Sequence, residues 1–283
     1  NKIAIVNVEG AITTGEASFG VAGSDTIVKN IRKAIKDDDV KALVLRVNSP
    51  GGGVYASELI TNALQEFKDT GRPIVSSMGD IAASGGVWVT TLSDEIWAKN
   101  ETLTGSIGVY ATIPTFENLY DWVGIQVDGT SSTKAGEWDP RSPMPENVKN
   151  AIQASVDSTY DNFVDKVSMN RDMRYEEVHA VAKGRIWSGE KALQLGLVDK
   201  IGDIDDALEA ASELASIEDY RVIQYYKEVD PFEAFLSELI ENLNIKFELG
   251  KNTRAVIDYL NYDYKFIDKD KEINIISYCF ECE

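Results

Sequence analysis

Short β-branched runs alternate with helical periodicities along the first two thirds of the chain, and this alternation predicts strand-helix units around a buried sheet. "KIAIVNV" (2–8) and "KALVLRV" (41–47) read as strands. Between them, "SDTIVKNIRKAIKD" places Ile27, Ile31 and Ile35 four apart on one helical face, with Ser24 or Asp25 as N-cap. "VYASELITNALQEFKD" repeats the pattern with Leu59, Ala63 and Phe67. The strand "PIVSSM" then leads to a helix beginning near Ser84, followed by the strand "EIWAK", a mixed run "LTGSIGVYATI" and a helix-turn "ENLYDWVG".

Further on, "PENVKNAIQASVDSTYDNFVDKVSMNR" predicts a long helix striped by Val148, Ile152, Val156, Tyr160, Val164 and Val167. Three more helices follow, "RYEEVHAVAKG", "SGEKALQLG" capped by Ser188 and closed by Gly196, and "DIDDALEAASELA". After about Ala215 the texture changes to a strand-like "YRVIQYY", an acidic amphipathic "DPFEAFLSELIENL" and a tyrosine-rich end. Two regions are expected, a core over 1–215 and an extension over 216–283 that docks on the core or on a neighbouring subunit.

With 283 residues, 43% of them hydrophobic, the chain is long enough to bury a large core. Its 28 basic against 47 acidic side chains leave a net charge of −19, which disfavours nucleic acid as a partner. Charged residues interrupt every apolar segment before it reaches bilayer-spanning length. Both cysteines, Cys279 and Cys282, form one C-x-x-C near the end, with no second pair to complete a four-ligand zinc site. No metal and no cofactor is expected.

The chemistry concentrates at "SSMGDIAASGGVWVTT", where one serine, Ser84, stands between alanines and glycines after a buried strand. A serine hydroxyl needs a base, most often histidine. The single histidine, His179, falls inside a predicted helix, where packing or surface exposure is the ordinary role. A lysine is the remaining base able to serve a serine, provided that burial keeps it neutral. Ser188 with Lys191 and Ser131 with Lys134 both match S-x-x-K, but the S-D-N and K-T-G companions of the β-lactamase motif are absent. Ser188 is better explained as a helix cap. A second glycine-rich corner, "RVNSPGGGVYASE", follows a buried strand and feeds a helix, so its amides can face a cleft and receive an oxyanion.

Taken in order, "VNSPGGGVYASE", "SMGDIAASGGVWV", "ETLTGSIGV" and "GRIWSGEKALQLGLVDKIGDIDDAL" resemble the landmarks of the S49 serine peptidases, the signal peptide peptidase A family. The likeness runs from Lys2 to about Leu214 and is to the carboxyl-terminal half of the long members. It implies an α/β fold of the ClpP/crotonase-like kind, a repeated ββα superhelix, here with a C-terminal extension. It also implies a Ser/Lys dyad with Ser84 as nucleophile, and an oxyanion hole from the amides of Gly51 and Gly85 with Gly52 beside them.

Lys134 follows Ser84 by fifty residues, the spacing of the short members, in which both belong to one chain. In the long members the lysine comes from the amino-terminal half. Lys134, a lysine of a missing half and a lysine of a neighbouring subunit therefore all stand as the base. The family further implies cleavage of remnant signal peptides and other extended hydrophobic peptides. It implies homo-oligomers at the bacterial cytoplasmic membrane with catalytic domains facing the periplasm, and a membrane tether upstream of Asn1. A crotonase-like acyl-CoA enzyme, or a half-domain that needs another half's lysine, are the alternatives.

Overall fold

The computed structural model describes residues 1–18, 20–126, 129–130 and 138–225. The strands are β1 (Lys2–Glu9), β2 (Ala11–Thr13), β3 (Val21–Gly23), β4 (Val40–Ser49), β5 (Ile74–Ala83), β6 (Glu95–Ala98), β7 (Leu103–Gly105), β8 (Ile186–Ser188), β9 (Lys200–Ile201) and β10 (Arg221–Gln224). The helices are α1 (Ser24–Lys36), α2 (Val54–Lys68), α3 (Gly85–Trp88), α4 (Glu117–Trp122), α5 (Glu146–Arg171), α6 (Tyr175–Val181), α7 (Gly189–Gln194) and α8 (Ile204–Leu214). The protein is mixed α/β around a central sheet.

Six strands run parallel in the order β10-β1-β4-β5-β6-β9. β7 pairs with the end of β5 and, antiparallel, with β8. β2 and β3 form a separate parallel pair. A parallel sheet covered on both faces needs apolar side chains on both, and the strands alternate between two cores accordingly. Ala4, Val6, Val8, Leu43, Leu45 and Val47 join the core that includes Ile27 and Ile31 of α1 and Ile60, Leu64 and Phe67 of α2. Ile3, Ile5, Ala42 and Val44 face the other way, against Ala207, Leu208 and Ala211 of α8. Asp203 caps α8 by accepting from Asp205 N, while its own N–H donates to Asp206.

Some local expectations change. Gly23, not Ser24 or Asp25, occupies the N-cap of α1, and Ser24 is buried as the first helical residue. On α5 only Phe163, Val164 and Val167 are buried, whereas Val148, Ile152 and Val156 stay half-exposed, because the first half of the helix extends past the core. The run 103–113 is a strand only as far as Gly105.

The compact unit that contains the sheet runs Asn1–Lys227, and the second unit is Glu228–Glu283. β10 adds to the edge of the sheet beside β1, and Tyr225 O accepts from Asn30 Nδ2 at 3.2 Å. The acidic amphipathic stretch 230–243, Cys279 and Cys282 lie outside the described residues. Among the described residues no helix is long and apolar enough to cross a membrane.

Candidate active site

β4 and β5 are parallel neighbours, so their carboxyl ends open on the same side of the sheet. Past Val47 the pairing shifts register and sets Ser49 opposite Ala82. The chain after β4 turns through Pro50–Gly53 into α2, and the chain after β5 turns at Ser84 into α3. Two glycine-rich corners that are 33 residues apart in sequence meet here.

Ser84 adopts φ 52° and ψ −116°, a left-handed backbone that costs a non-glycine residue on the order of 1–3 kcal/mol. Its surroundings hold it there. Ser84 N donates to Gly105 O at 2.9 Å, and Ser84 O accepts from Val87 N at 2.9 Å and Trp88 N at 3.0 Å. The side chain is partly exposed, and its hydroxyl has no hydrogen-bond partner among the described residues.

Gly51 and Gly52 pack directly against this turn. A methyl added to Gly51 (φ 101°) would lie 2.6 Å from Gly85 N, 2.7 Å from Ala83 O and 2.8 Å from Ser84 Cβ. On Gly52 (φ 154°) it would collide with the Ile12 carbonyl. A methyl on Gly85 would stand 2.7 Å from Ser57 Oγ and 3.1 Å from Gly52 N. Gly51, Gly52, Ser84 and Gly85 are thus gathered at one point, whereas Lys134 and Ser131 lie outside the described residues.

Backbone hydrogen bonds separate the roles of the three glycine amides. Gly51 N–H donates to Ser49 Oγ at 3.1 Å, and the Ser49 hydroxyl in turn donates to Gly10 O at 2.6 Å. Ile12 grips the same loop from the other side, donating to Gly51 O at 2.8 Å and accepting from Gly53 N at 2.9 Å. The N–H groups of Gly52 and Gly85 have no acceptor among the described residues. Gly85 is the first residue of α3, where an N–H has no partner within the helix.

His179 is occupied elsewhere. Its Nδ1 lies 2.9 Å from Tyr160 Oη, the Tyr160 ring meets it edge-on, and the Tyr175 ring stacks on it. Burial raises the Tyr160 phenol, and a hydrogen bond to Asp161 pushes that of Tyr175 up to about 12. Ser188 caps α7 by accepting from Lys191 N at 3.2 Å, and Lys191 Nζ turns to Gln194.

Sequence pattern alone singles out neither Ser49 nor Ile12. Ser49 lies in the quoted "NSPGGG", and a hydroxyl ending an apolar strand was the available signal. Ile12 acts through its backbone, which leaves no side-chain signature.

The profile of "Peptidase family S49" matches residues 66–218. "Protease 4" of Haemophilus influenzae is 37% identical over 292 residues, covering 100% of this chain and 47% of that protein. "Putative signal peptide peptidase SppA" of Enterococcus faecium is 35% identical over 237 residues, 82% of this chain and 69% of that protein. "Serine protease SPPA, chloroplastic" of Arabidopsis thaliana is 32% identical, over 77% of this chain and 33% of that protein. The chain spans about half the length of the Haemophilus protein. With a profile match over more than half its length and a relative at 35% identity covered over two thirds, the chain belongs to peptidase family S49.

Proposed function

We propose that this chain carries the nucleophile of a serine endopeptidase that cleaves extended, largely apolar peptides, remnant signal peptides among them. The observation that carries this reading is the left-handed Ser84, its hydroxyl unpartnered among the described residues, set beside the unengaged amides of Gly52 and Gly85. Ser84 Oγ bonds to the scissile carbonyl carbon while the carbonyl electron pair moves onto oxygen. The N–H groups of Gly52 and Gly85 hold that oxyanion, and the bonds of Gly51 aim Gly52 rather than supplying a third donor. A neutral amine takes the hydroxyl proton and returns it to the leaving amine as the C–N bond breaks. Water then hydrolyses the ester by the same proton route.

The amine is Lys134 or a lysine from a preceding half or a neighbouring subunit, and the 47% coverage of "Protease 4" supports a source beyond this chain. Exposed Val54 and Tyr55, directly after the glycine loop, offer apolar contact to an extended substrate lying along the strand ends. The two small strands β2 and β3 beside the main sheet, and β7 branching from β5, support a ClpP/crotonase-like superhelix. Exposed Tyr110 and Trp122 support a homo-oligomer, for which we propose the periplasmic face of the bacterial membrane.

Ser84→Ala is expected to abolish cleavage of a fluorogenic apolar peptide with the circular dichroism spectrum unchanged. Retained cleavage refutes the reading. Lys134→Ala abolishes cleavage as well if the dyad lies within one chain, and leaves it intact if the amine comes from elsewhere.

A further inference from the structure

Glu58 stands on α2, five residues after the glycine loop, and its carboxylate reaches two other elements. Oε2 accepts from the Trp88 indole N–H at 2.9 Å. Lys166 Nζ of α5 lies 3.2 Å from Oε2 and 3.3 Å from Oε1. The same ammonium sits 5.6 Å from the centre of a Trp88 ring, and Trp88 packs on Phe163 of α5 with ring centres 4.7 Å apart. Trp88 is the last residue of α3, and its backbone N–H bonds Ser84 O. Glu58 thereby ties α2, which follows the glycine loop, to α3, which follows Ser84 and opens with Gly85.

The spacing of those helices decides whether the two amides converge on one oxygen. From one side it is limited by packing: Ser57 Oγ, which donates to Gly53 O, lies where a side chain on Gly85 would come within 2.7 Å of it. From the other side a tether must stop α3 from moving away. We infer that Glu58 is a positioning residue whose bond to Trp88, charge-balanced by Lys166, holds the Gly52 and Gly85 amides at the separation an oxyanion requires. This rests on the proposed role of those amides. The Glu58 side chain is 34% exposed, so the ion pair adds little to global stability, while a small displacement of oxyanion donors is costly to the rate.

The test uses the full chain, an apolar peptide substrate and a peptide boronic acid, which forms a tetrahedral adduct on serine and so reports the amides directly. Glu58→Ala is expected to lower kcat about tenfold and raise the boronate Ki about tenfold, with KM within about twofold, because oxyanion donors act on the tetrahedral species and not on the bound substrate. Glu58→Gln keeps an acceptor for Trp88 and is expected to recover most of both. Trp88→Phe removes the donor, and combining it with Glu58→Ala should add little further loss. Unchanged boronate affinity in Glu58→Ala, or an equal loss in Glu58→Gln, overturns the inference while leaving the nucleophile assignment intact. A wild-type chain that cleaves the peptide without binding the boronate overturns both.

Discussion

Ser49→Ala removes one oxygen and is expected to damage both stability and catalysis. The hydroxyl is fully buried, donating to Gly10 O at 2.6 Å and accepting from Gly51 N at 3.1 Å. Gly10 and Gly51 are buried as well, so neither group gains water when the hydroxyl leaves. An orphaned buried donor or acceptor costs about 1–3 kcal/mol, and two of them together about 2–6 kcal/mol. For a folded unit of this size each kcal/mol shifts Tm by about 2–4 °C, giving an expected drop of roughly 4–24 °C. The same bond aims Gly51 and through it the Gly52 amide. Losing an oxyanion donor outright costs about 10²–10³ in kcat, so a loosened one should cost on the order of tenfold. Thermal melting by circular dichroism and initial rates on a fluorogenic peptide measure the two effects. A variant that melts within a degree of wild type and turns over at the wild-type rate refutes the assignment of Ser49 as the brace of this loop.

Gly52→Ala forces a side chain into the Ile12 carbonyl and is expected to lower kcat by about 10² or more, measured by peptide hydrolysis, because the loop must move its free amide away from Ser84. His179→Gln is expected to change kcat/KM less than about threefold, where loss of a general base would cost about 10²–10⁴; a larger fall in steady-state assays would return histidine to the mechanism. Burial opposes ionisation of Asp199, but the Arg171 guanidinium, 2.5 Å from Oδ1, and the Ile96 N–H outweigh it and hold the carboxyl below its ordinary value of 3.8. That stabilisation is complete above pH 3.8 and is lost as pH falls through the lower folded-state value. Arg171→Gln should therefore destabilise by about 1–3 kcal/mol at pH 7 in urea titrations, and its gap from wild type should narrow toward pH 3.

The corner proposed to carry the nucleophile was legible because its requirements are local. A serine among alanines and glycines directly after a buried strand is a compositional event within a few residues, and β5 does run to Ala83 with Ser84 at the turn. The glycine loop was legible for the same reason, but the division of labour among its amides was not. Whether Gly51 or Gly52 keeps a free N–H depends on the Ser49 hydroxyl and on Gly10 and Ile12, which reach the loop from about forty residues away. Glu58 has no local sequence signal, since Trp88 and Lys166 come 30 and 108 residues later. The short strands β2, β3, β8 and β9 are two or three residues long, too brief for an alternation of apolar positions to register. On α5 the stripe is continuous in sequence but meets the core only from Tyr160 onward, because periodicity reports which face is apolar and not how far the core extends.

Active-site titration with a fluorophosphonate, followed by peptide mapping in a mass spectrometer, tests the nucleophile most directly. The account predicts a single phosphonyl adduct on Ser84, absent from Ser84→Ala. An adduct that persists in that variant, or a chain whose Ser84 stays unmodified while it still cleaves peptides, contradicts it.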